Sequence, residues 1–277
     1  MSNGKLTSIA NQIRKDIVQS VYLAGAGHLG GSLSVVEILT YLYFGEMNLN
    51  PLNPHMENRD RFVLSKGHAA PALYATLAER GYFPVEDLQT LSHQGSYLQG
   101  HPDMIRVPGV DMSTGSLGQG LSAAVGMALS ARFTHQYFDV YALLGDGELQ
   151  EGQIWEALMF AGHQKLANLT VIIDNNDLQV DGNIQHICSP YPLIEKLSAF
   201  NFHVINVPNG HDFELLKSAF SEAKLVKDMP VAIILKTIKG KGIPFMENKR
   251  EWHSRLLTDS EYHLALAVLE HEDKLLC

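Results

Sequence analysis

Two apolar runs, Val140–Leu144 and Leu169–Ile173, each pass directly into small, acidic or amide residues. Gly145-Asp146-Gly147-Glu148 follows the first and Asp174-Asn175-Asn176 the second. Short uninterrupted apolar runs are the pattern of strands buried on both faces of a parallel sheet. The stretch between them, Leu149 to Leu166, has the length of a crossover helix. A β-α-β unit brings both strand ends to one edge, and open α/β sheets bind ligands outside the carboxyl ends of their strands. Asp146 and Asn176 are therefore expected to meet at that edge.

The residue types there suit a hard cation and an anion together. Mg²⁺ takes oxygen donors, commonly one or two from the protein and the rest from phosphate and water. The Asp146 carboxylate, the Asn176 amide and the backbone carbonyl of Leu178 form such a partial set. Gly145 and Gly147 let backbone approach a phosphate closely, and the helix start that follows presents free N–H groups. Gly-Asp-Gly alone is a turn as readily as a ligand loop. Its spacing from Asn175-Asn176, by one helix and one strand, is what makes the pair informative.

The remaining chain alternates helical and extended patterns. Helices are expected over Thr7–Leu23, capped by Thr7 or Ser8, and over Leu33–Phe44, Pro71–Arg80, a segment from the Thr114–Gly120 loop to about Phe133, Pro190–Phe200, Asp212–Val226 and Thr258 to about His271. Strands are expected within Arg59–His68, at His203–Val207 and at Pro230–Thr237. The fold class is thus α/β, a doubly wound, mostly parallel sheet with helices on both faces, covering residues 1–277 as one domain. The strand order is not readable. Gly-His pairs at Gly27-His28, Gly67-His68 and Gly100-His101 each sit at an element boundary, which marks their imidazoles as candidate site residues, since structural histidines should scatter. A net charge of −9 argues against nucleic acid as a partner. The two cysteines, Cys188 and Cys277, suit neither a disulfide framework nor a zinc site and fit a reducing cytosol. With no signal-peptide pattern and no run of eighteen apolar residues, the chain is expected to be soluble, cytoplasmic and without a membrane partner.

Gly-Asp-Gly followed by Asn175-Asn176 is the thiamine diphosphate signature, and the run Gly145-Asp-Gly-Glu-Leu-Gln-Glu-Gly152 resembles the transketolase family in particular. The resemblance spans nearly the whole chain, as the N-terminal diphosphate-binding (PP-type) domain. It implies thiamine diphosphate with Mg²⁺, or Ca²⁺ or Mn²⁺ in its place, and transfer of a two-carbon ketol unit from a ketose, or ketose phosphate, to an aldose. Carried over by position, Asp146, Asn176 and the Leu178 carbonyl match metal ligands, and Gly147 and Glu148 fall in the diphosphate cradle. His68 and His253 match histidines beside the diphosphate, and Gly115, Ser116 and Leu117 lie around the aminopyrimidine. His28, His101 and His253 would be the proton-handling histidines, suited by an ordinary pKa of about 6.5. Glu151 and Glu156 match acids at the contact between paired sites, although each equally suits a solvated helix face. Leu29 and Ser116 depart from the family, where proline is common, and Ser254 stands in place of a common glycine.

The family's pyrimidine-binding and C-terminal domains have no counterpart here. The resemblance therefore implies the N-terminal subunit of a split transketolase, inactive alone and completed by a C-terminal subunit, as a heterotetramer of two of each. Alternatives are a component of another thiamine diphosphate enzyme, either deoxyxylulose-phosphate synthase-like or a 2-oxoacid dehydrogenase, and a regulatory domain that binds a nucleotide through Gly-Asp-Gly.

Overall fold

In the computed structural model, which describes residues 1–276, five parallel strands form one sheet in the order β1-β2-β3-β5-β4. They are β1 (Arg61–Leu64), β2 (Val140–Gly145), β3 (Leu169–Asn175), β4 (His203–Val207) and β5 (Val231–Lys236). Both faces of the central strands are buried, which is why their sequences show no polar alternation. Tyr141, Leu143, Ile172, Ile233 and Leu235 face one core, and Ala142, Leu144, Val171, Ile173 and Ile234 face the other. The first core is closed by α1 (Asn3–Ala24), α3 (Val36–Tyr41), α4 (Ala70–Arg80) and α9 (Phe213–Ala223). The second is closed by α5 (Gln119–Thr134), α6 (Gly152–His163) and α8 (Leu193–Ala199). Short helices α2 (Leu29–Leu33) and α7 (Ile184–Cys188) flank the carboxyl edge of the sheet, and α10 (Asp259–Leu276) packs on α1.

The α/β reading holds, and the structure supplies the order: β5 inserts between β3 and β4. Boundaries move for identifiable reasons. The helix expected from Thr7 begins at Asn3 with Ser2 as its N-cap, and the Thr7 hydroxyl instead bonds back to the Asn3 carbonyl at 3.0 Å. Leu33–Phe44 proves to be the end of α2, then α3, then a wider π turn over Leu42–Glu46. The crossover splits into a tight 3₁₀ turn, Gly147–Gln150, ahead of α6. Asp212 caps α9, accepting from the amides of Glu214 (2.8 Å) and Leu215 (3.2 Å). The 3₁₀ turn Val85–Thr90 and α7 are elements the sequence patterns do not reveal. Among the described residues no helix is long and apolar enough to cross a membrane. Cys188 is free and exposed, while Cys277 lies outside the described residues.

One buried group on α1 makes the fold sensitive to pH. Asp16 accepts from Gln12 Nε2 at 2.9 Å through one oxygen, and its other oxygen is buried without a partner. Burial, with the Glu79 carboxyl adding to it, pushes Asp16 up to about 7, although Gln12 and Lys15 pull the other way. A carboxyl whose folded pKa is raised is most comfortable protonated, so its penalty is absent in acid and grows as pH rises from its ordinary value of 3.8 through about 7. Asp16→Asn keeps the acceptor and removes the charge. It should raise stability on the order of 1–3 kcal/mol at pH 8 and not at pH 4, read from urea unfolding at both pH values.

Candidate active site

The carboxyl ends of β1, β2, β3 and β5 converge on one cleft of about 180 Å³, lined by Lys66, His68, Asp146, Asn176, Lys239 and His253 among others. β2 delivers Asp146 and β3 delivers Asn176. Backbone and side-chain bonds lock the two loop tips together: the Asp146 amide donates to the Asp174 carbonyl at 3.1 Å, and the Asp177 amide donates to Asp146 Oδ2 at 2.6 Å. The Gly147 amide donates to Asp146 Oδ1 at 2.8 Å. Asn176 has its amide orientation fixed from both ends, with Nδ2 on Asp174 Oδ2 (3.1 Å) and Oδ1 on the Leu178 amide (3.1 Å). The Leu178 carbonyl opens on the same cleft, 3.4 Å from Lys239 Nζ.

Beneath the cleft lies a buried ionic network. Asp174, fully buried, accepts from Lys66 Nζ (2.6 Å), Ser34 Oγ (2.7 Å), Asn176 Nδ2 (3.1 Å) and the Thr237 hydroxyl. Burial alone would raise its carboxyl, but Lys66 and these hydrogen bonds outweigh it and hold Asp174 below the usual carboxylate range. Asp146 forms no salt bridge among the described residues, and Lys66 pulls on it least of the groups around it. Burial and the neighbouring Asp174 charge push it up to about 7, against the pull of the two backbone amides. Lys239, buried and repelled by Lys66, is pulled down to about 8, and its Nζ lies 3.0 Å from His253 Nδ1.

Three imidazoles cluster above the lysines. The rings of His28, His68 and His253 stand 5.1–5.2 Å apart, centroid to centroid. Burial depresses all three. Lys66 adds to the shift at His68, which falls well below the ordinary histidine range, and Lys239 adds to it at His253, which falls to about 3. His28 is lowered by burial and then by His101. The ordinary value of about 6.5 expected from the sequence is thus corrected, because two ammonium groups and a dry setting disfavour imidazolium. His101 is exposed at the rim, with its ring against Gly115: a Cβ there would lie 3.0 Å from His101 Cδ2.

The other candidates divide. Gly147, Leu117 and Glu151 line the cleft, and Gly115 and exposed Ser116 neighbour it. Glu148 lines it too, but its carboxylate is committed inwards, accepting from Ser65 Oγ (2.5 Å), the Gly118 amide (2.9 Å) and the Gly145 amide (3.2 Å). It fastens the Gly115–Gly118 loop to the end of β2. Glu156 is exposed on α6 and is not among the cleft residues. Lys66, Asp174 and Lys239 carry no mark of their role in the sequence, although each lies in a stretch that ends at the cleft. Lysine is rarely buried, and nothing in one sequence says which lysine is. Gly30 and Gly31, which follow the Gly27-His28 pair, belong to α2. A Cβ on Gly30 would meet the Trp252 carbonyl at 2.9 Å, and one on Gly31 would meet His68 Nε2 at 3.2 Å.

The donors fit a magnesium-diphosphate group. Among the described residues no cluster of three histidine, cysteine or acidic side chains suits a metal held by protein alone. The available set is one carboxylate, one amide and one carbonyl, the share that Mg²⁺ takes from a protein when phosphate supplies the rest. A raised Asp146 would be relieved by such a cation, and the two buried lysines that line the same cleft would suit an anion.

Similarity to known proteins agrees with this geometry. Residues 6–273 match the family model described as transketolase, thiamine diphosphate binding domain. The chain belongs to the transketolase family and carries its thiamine diphosphate-binding domain. It is 49% identical over 263 residues to the 6-deoxy-6-sulfo-D-fructose transketolase subunit SqwG of a Clostridium species, covering 95% of each chain. It is 42% identical to an apulose-4-phosphate transketolase subunit of Phocaeicola vulgatus, covering 95% of this chain and 93% of that one. Rat transketolase is 45% identical over 259 residues, but those span 91% of this chain and only 40% of that protein. The solved transketolase from Campylobacter jejuni superposes with a TM-score of 0.91 at 33% identity, covering 98% of this chain and 43% of that one. The chain thus spans about two fifths of the long transketolases and nearly all of the subunit relatives.

Removing Lys66 strands the Asp174 charge. Lys66→Met should destabilise the protein by about 3–5 kcal/mol in urea unfolding, and the double variant with Asp174→Asn should lose less than the two single changes summed.

Proposed function

We propose that this chain is the N-terminal, PP-type subunit of a transketolase that moves a two-carbon ketol unit from an anionic ketose to an aldose acceptor. The supporting observation is the convergence in one cleft of Asp146, Asn176 and the Leu178 carbonyl with two buried lysines and two depressed imidazoles, His68 and His253, with the His28 ring packed beside both. Asp146, Asn176 and Leu178 would hold Mg²⁺, with Ca²⁺ or Mn²⁺ as substitutes, and Gly147 and Lys239 would face the diphosphate. When bound, thiamine diphosphate supplies the nucleophile and electron sink for C–C cleavage. The protein's part is placement and proton handling. His28, His68 and His253, held uncharged by burial and with ring centroids about 5 Å apart, are placed to hydrogen-bond the substrate's hydroxyls, and would gain basicity once an anion offsets the two lysines. His101 at the rim is placed to meet the distal part of a sugar.

The rest of the machinery is proposed to reside on a partner chain that carries the pyrimidine-binding and C-terminal domains, in a cytoplasmic heterotetramer of two and two. A cleft of 180 Å³ is below the 300–1,000 Å³ of a self-sufficient cofactor site, which supports a second wall from elsewhere. α6 presents Glu156, Met159 and Phe160 as one exposed stripe at helical spacing, a face suited to the contact between paired subunits. The sulfonated fructose and the sugar 4-phosphate in the names of the two subunit relatives favour a donor with a terminal anion.

Calorimetry tests the cofactor reading. Thiamine diphosphate should bind in the presence of Mg²⁺ and not with chelator, in preference to ATP or NAD, and Asp146→Ala should weaken it about a hundredfold or more. ATP binding of equal strength would point instead to a nucleotide-binding regulatory domain. Ketol transfer should be absent from the chain alone and appear on adding the partner. Full turnover by the single chain would refute the split arrangement.

A further inference from the structure

Away from the cleft, three buried charged or polar side chains form a second network that the chemistry above does not use. Arg14 on α1 is ion-paired with Glu37 on α3, and Glu37 Oε2 lies 2.9 Å from Nδ1 of His211, in the loop between β4 and α9. All three side chains are at most 8% exposed. Each also reaches out to, or supports a reach to, the same loop after β5. The Ile238 amide lies 2.8 Å from His211 Nε2, and Arg14 Nε donates to the Lys241 carbonyl at 3.2 Å. A backbone N–H can only donate, so Nε2 accepts and Nδ1 carries the proton that goes to Glu37.

The two contacts bracket Lys239, one residue before it and two after. Between them the Gly240 amide donates to the Gly30 carbonyl at 3.0 Å, and the Lys239 carbonyl accepts from the Asn248 amide at 2.9 Å. The loop passes Arg14 closely: Gly242 has φ of +92°, and a Cβ there would lie 2.7 Å from Arg14 Nε. A lysine with four side-chain torsions needs a fixed backbone if its ammonium is to stay on His253 Nδ1 and the Leu178 carbonyl.

We propose that Arg14, Glu37 and His211 are positioning residues that hold the Lys239 loop, and through it the Lys239 ammonium, at the diphosphate end of the cleft. Lys239's part in this rests on the thiamine diphosphate reading above. Glu37 is the pivot, since one carboxylate orients both the guanidinium and the imidazole. His211 then holds the loop at Ile238 and Arg14 holds it at Lys241. His211 belongs to a further Gly-His pair, Gly210-His211, that sequence reasoning passed over.

Two readouts on the full-length chain separate the possibilities. Amide hydrogen exchange in the cofactor-free protein should quicken about tenfold or more at residues 238–241 in His211→Phe, and return towards wild type in His211→Gln, whose amide oxygen can accept from the Ile238 N–H. Magnesium-dependent affinity for thiamine diphosphate should fall about tenfold in His211→Phe and in Glu37→Gln, with recovery in His211→Gln. Unchanged exchange over 238–241 in both His211→Phe and Glu37→Gln would overturn the positioning role whatever the cofactor does. Faster exchange with undiminished affinity would overturn the link to the cleft. A merely structural role predicts lower melting temperatures with wild-type affinity below the melt. A wild-type chain that binds no thiamine diphosphate would sink the cofactor reading, and the link to Lys239 with it, while leaving the exchange result to decide the loop contact separately.

Discussion

The Asp174 carboxylate is the point on which the site's geometry turns. It stands near the end of β3 with no solvent contact, and it gathers donors from three places remote in sequence, Ser34 after α2, Lys66 after β1 and Thr237 after β5, and from Asn176 two residues on. A buried charge of this kind is tolerable only when its lone pairs are filled, and filling them fixes the loops that supply the donors. The ends of β1, β3 and β5 and the end of α2 are thereby held at one edge, and the amide of Asn176 can point only one way. The apolar cores on either side of the sheet give stability. The choice of which loops meet, and at what distance, comes from this ion.

The charge balance of the cleft follows from the same arrangement. Lys66 is ion-paired with Asp174, so it relieves only a little of the burial penalty on the neighbouring Asp146, while Lys239 still feels its repulsion. A divalent cation against Asp146 and a dianionic group against Lys239 would each relieve one of these tensions. The imidazoles would respond to the second. They are held low by burial and by the two ammonium groups, and an anion placed between them and the lysines would screen that repulsion and move them back towards ordinary values. Without ligand the histidines are uncharged, and the arrangement makes their basicity depend on what is bound beside the lysines.

Much of this is legible in the sequence. The runs ending at Gly145 and Asp174 identify themselves as central strands because both faces are buried, and the same property forces their polar termini to one edge. Asp146 and Asn176 can therefore be paired across nearly thirty residues. His28, His68 and His101 are visible through their glycines, since a small residue beside an imidazole at an element boundary marks close approach. Strand order is not legible, because the patterns of β4 and β5 are alike in kind and only packing places β5 inside. Glu148 cannot be told from a ligand: its neighbours in sequence are cleft residues, and the Ser65 and Gly118 partners that turn it inwards come from the end of β1 and the start of α5. Burial of Lys66 and Lys239 is hidden for the same reason, as the carboxylate that permits the first lies more than a hundred residues away.

His211 shows where such reading fails most. Its glycine-histidine pair has the same local signature as those of the cleft, yet its ring is 6% exposed and turned towards Glu37, on the far side of the loop that carries Lys239. Local sequence distinguishes a histidine that touches a ligand from one that supports another residue only when the partners are known, and here those partners sit on α3 and in the loop after β5. The two kinds of imidazole nonetheless differ physically. The cleft rings lie against one another and against ammonium groups, which leaves nitrogens free for a substrate. The His211 ring has both nitrogens taken, one by a carboxylate and one by a backbone amide. An imidazole with nothing left to offer can hold a neighbour in place but cannot carry a proton to a sugar.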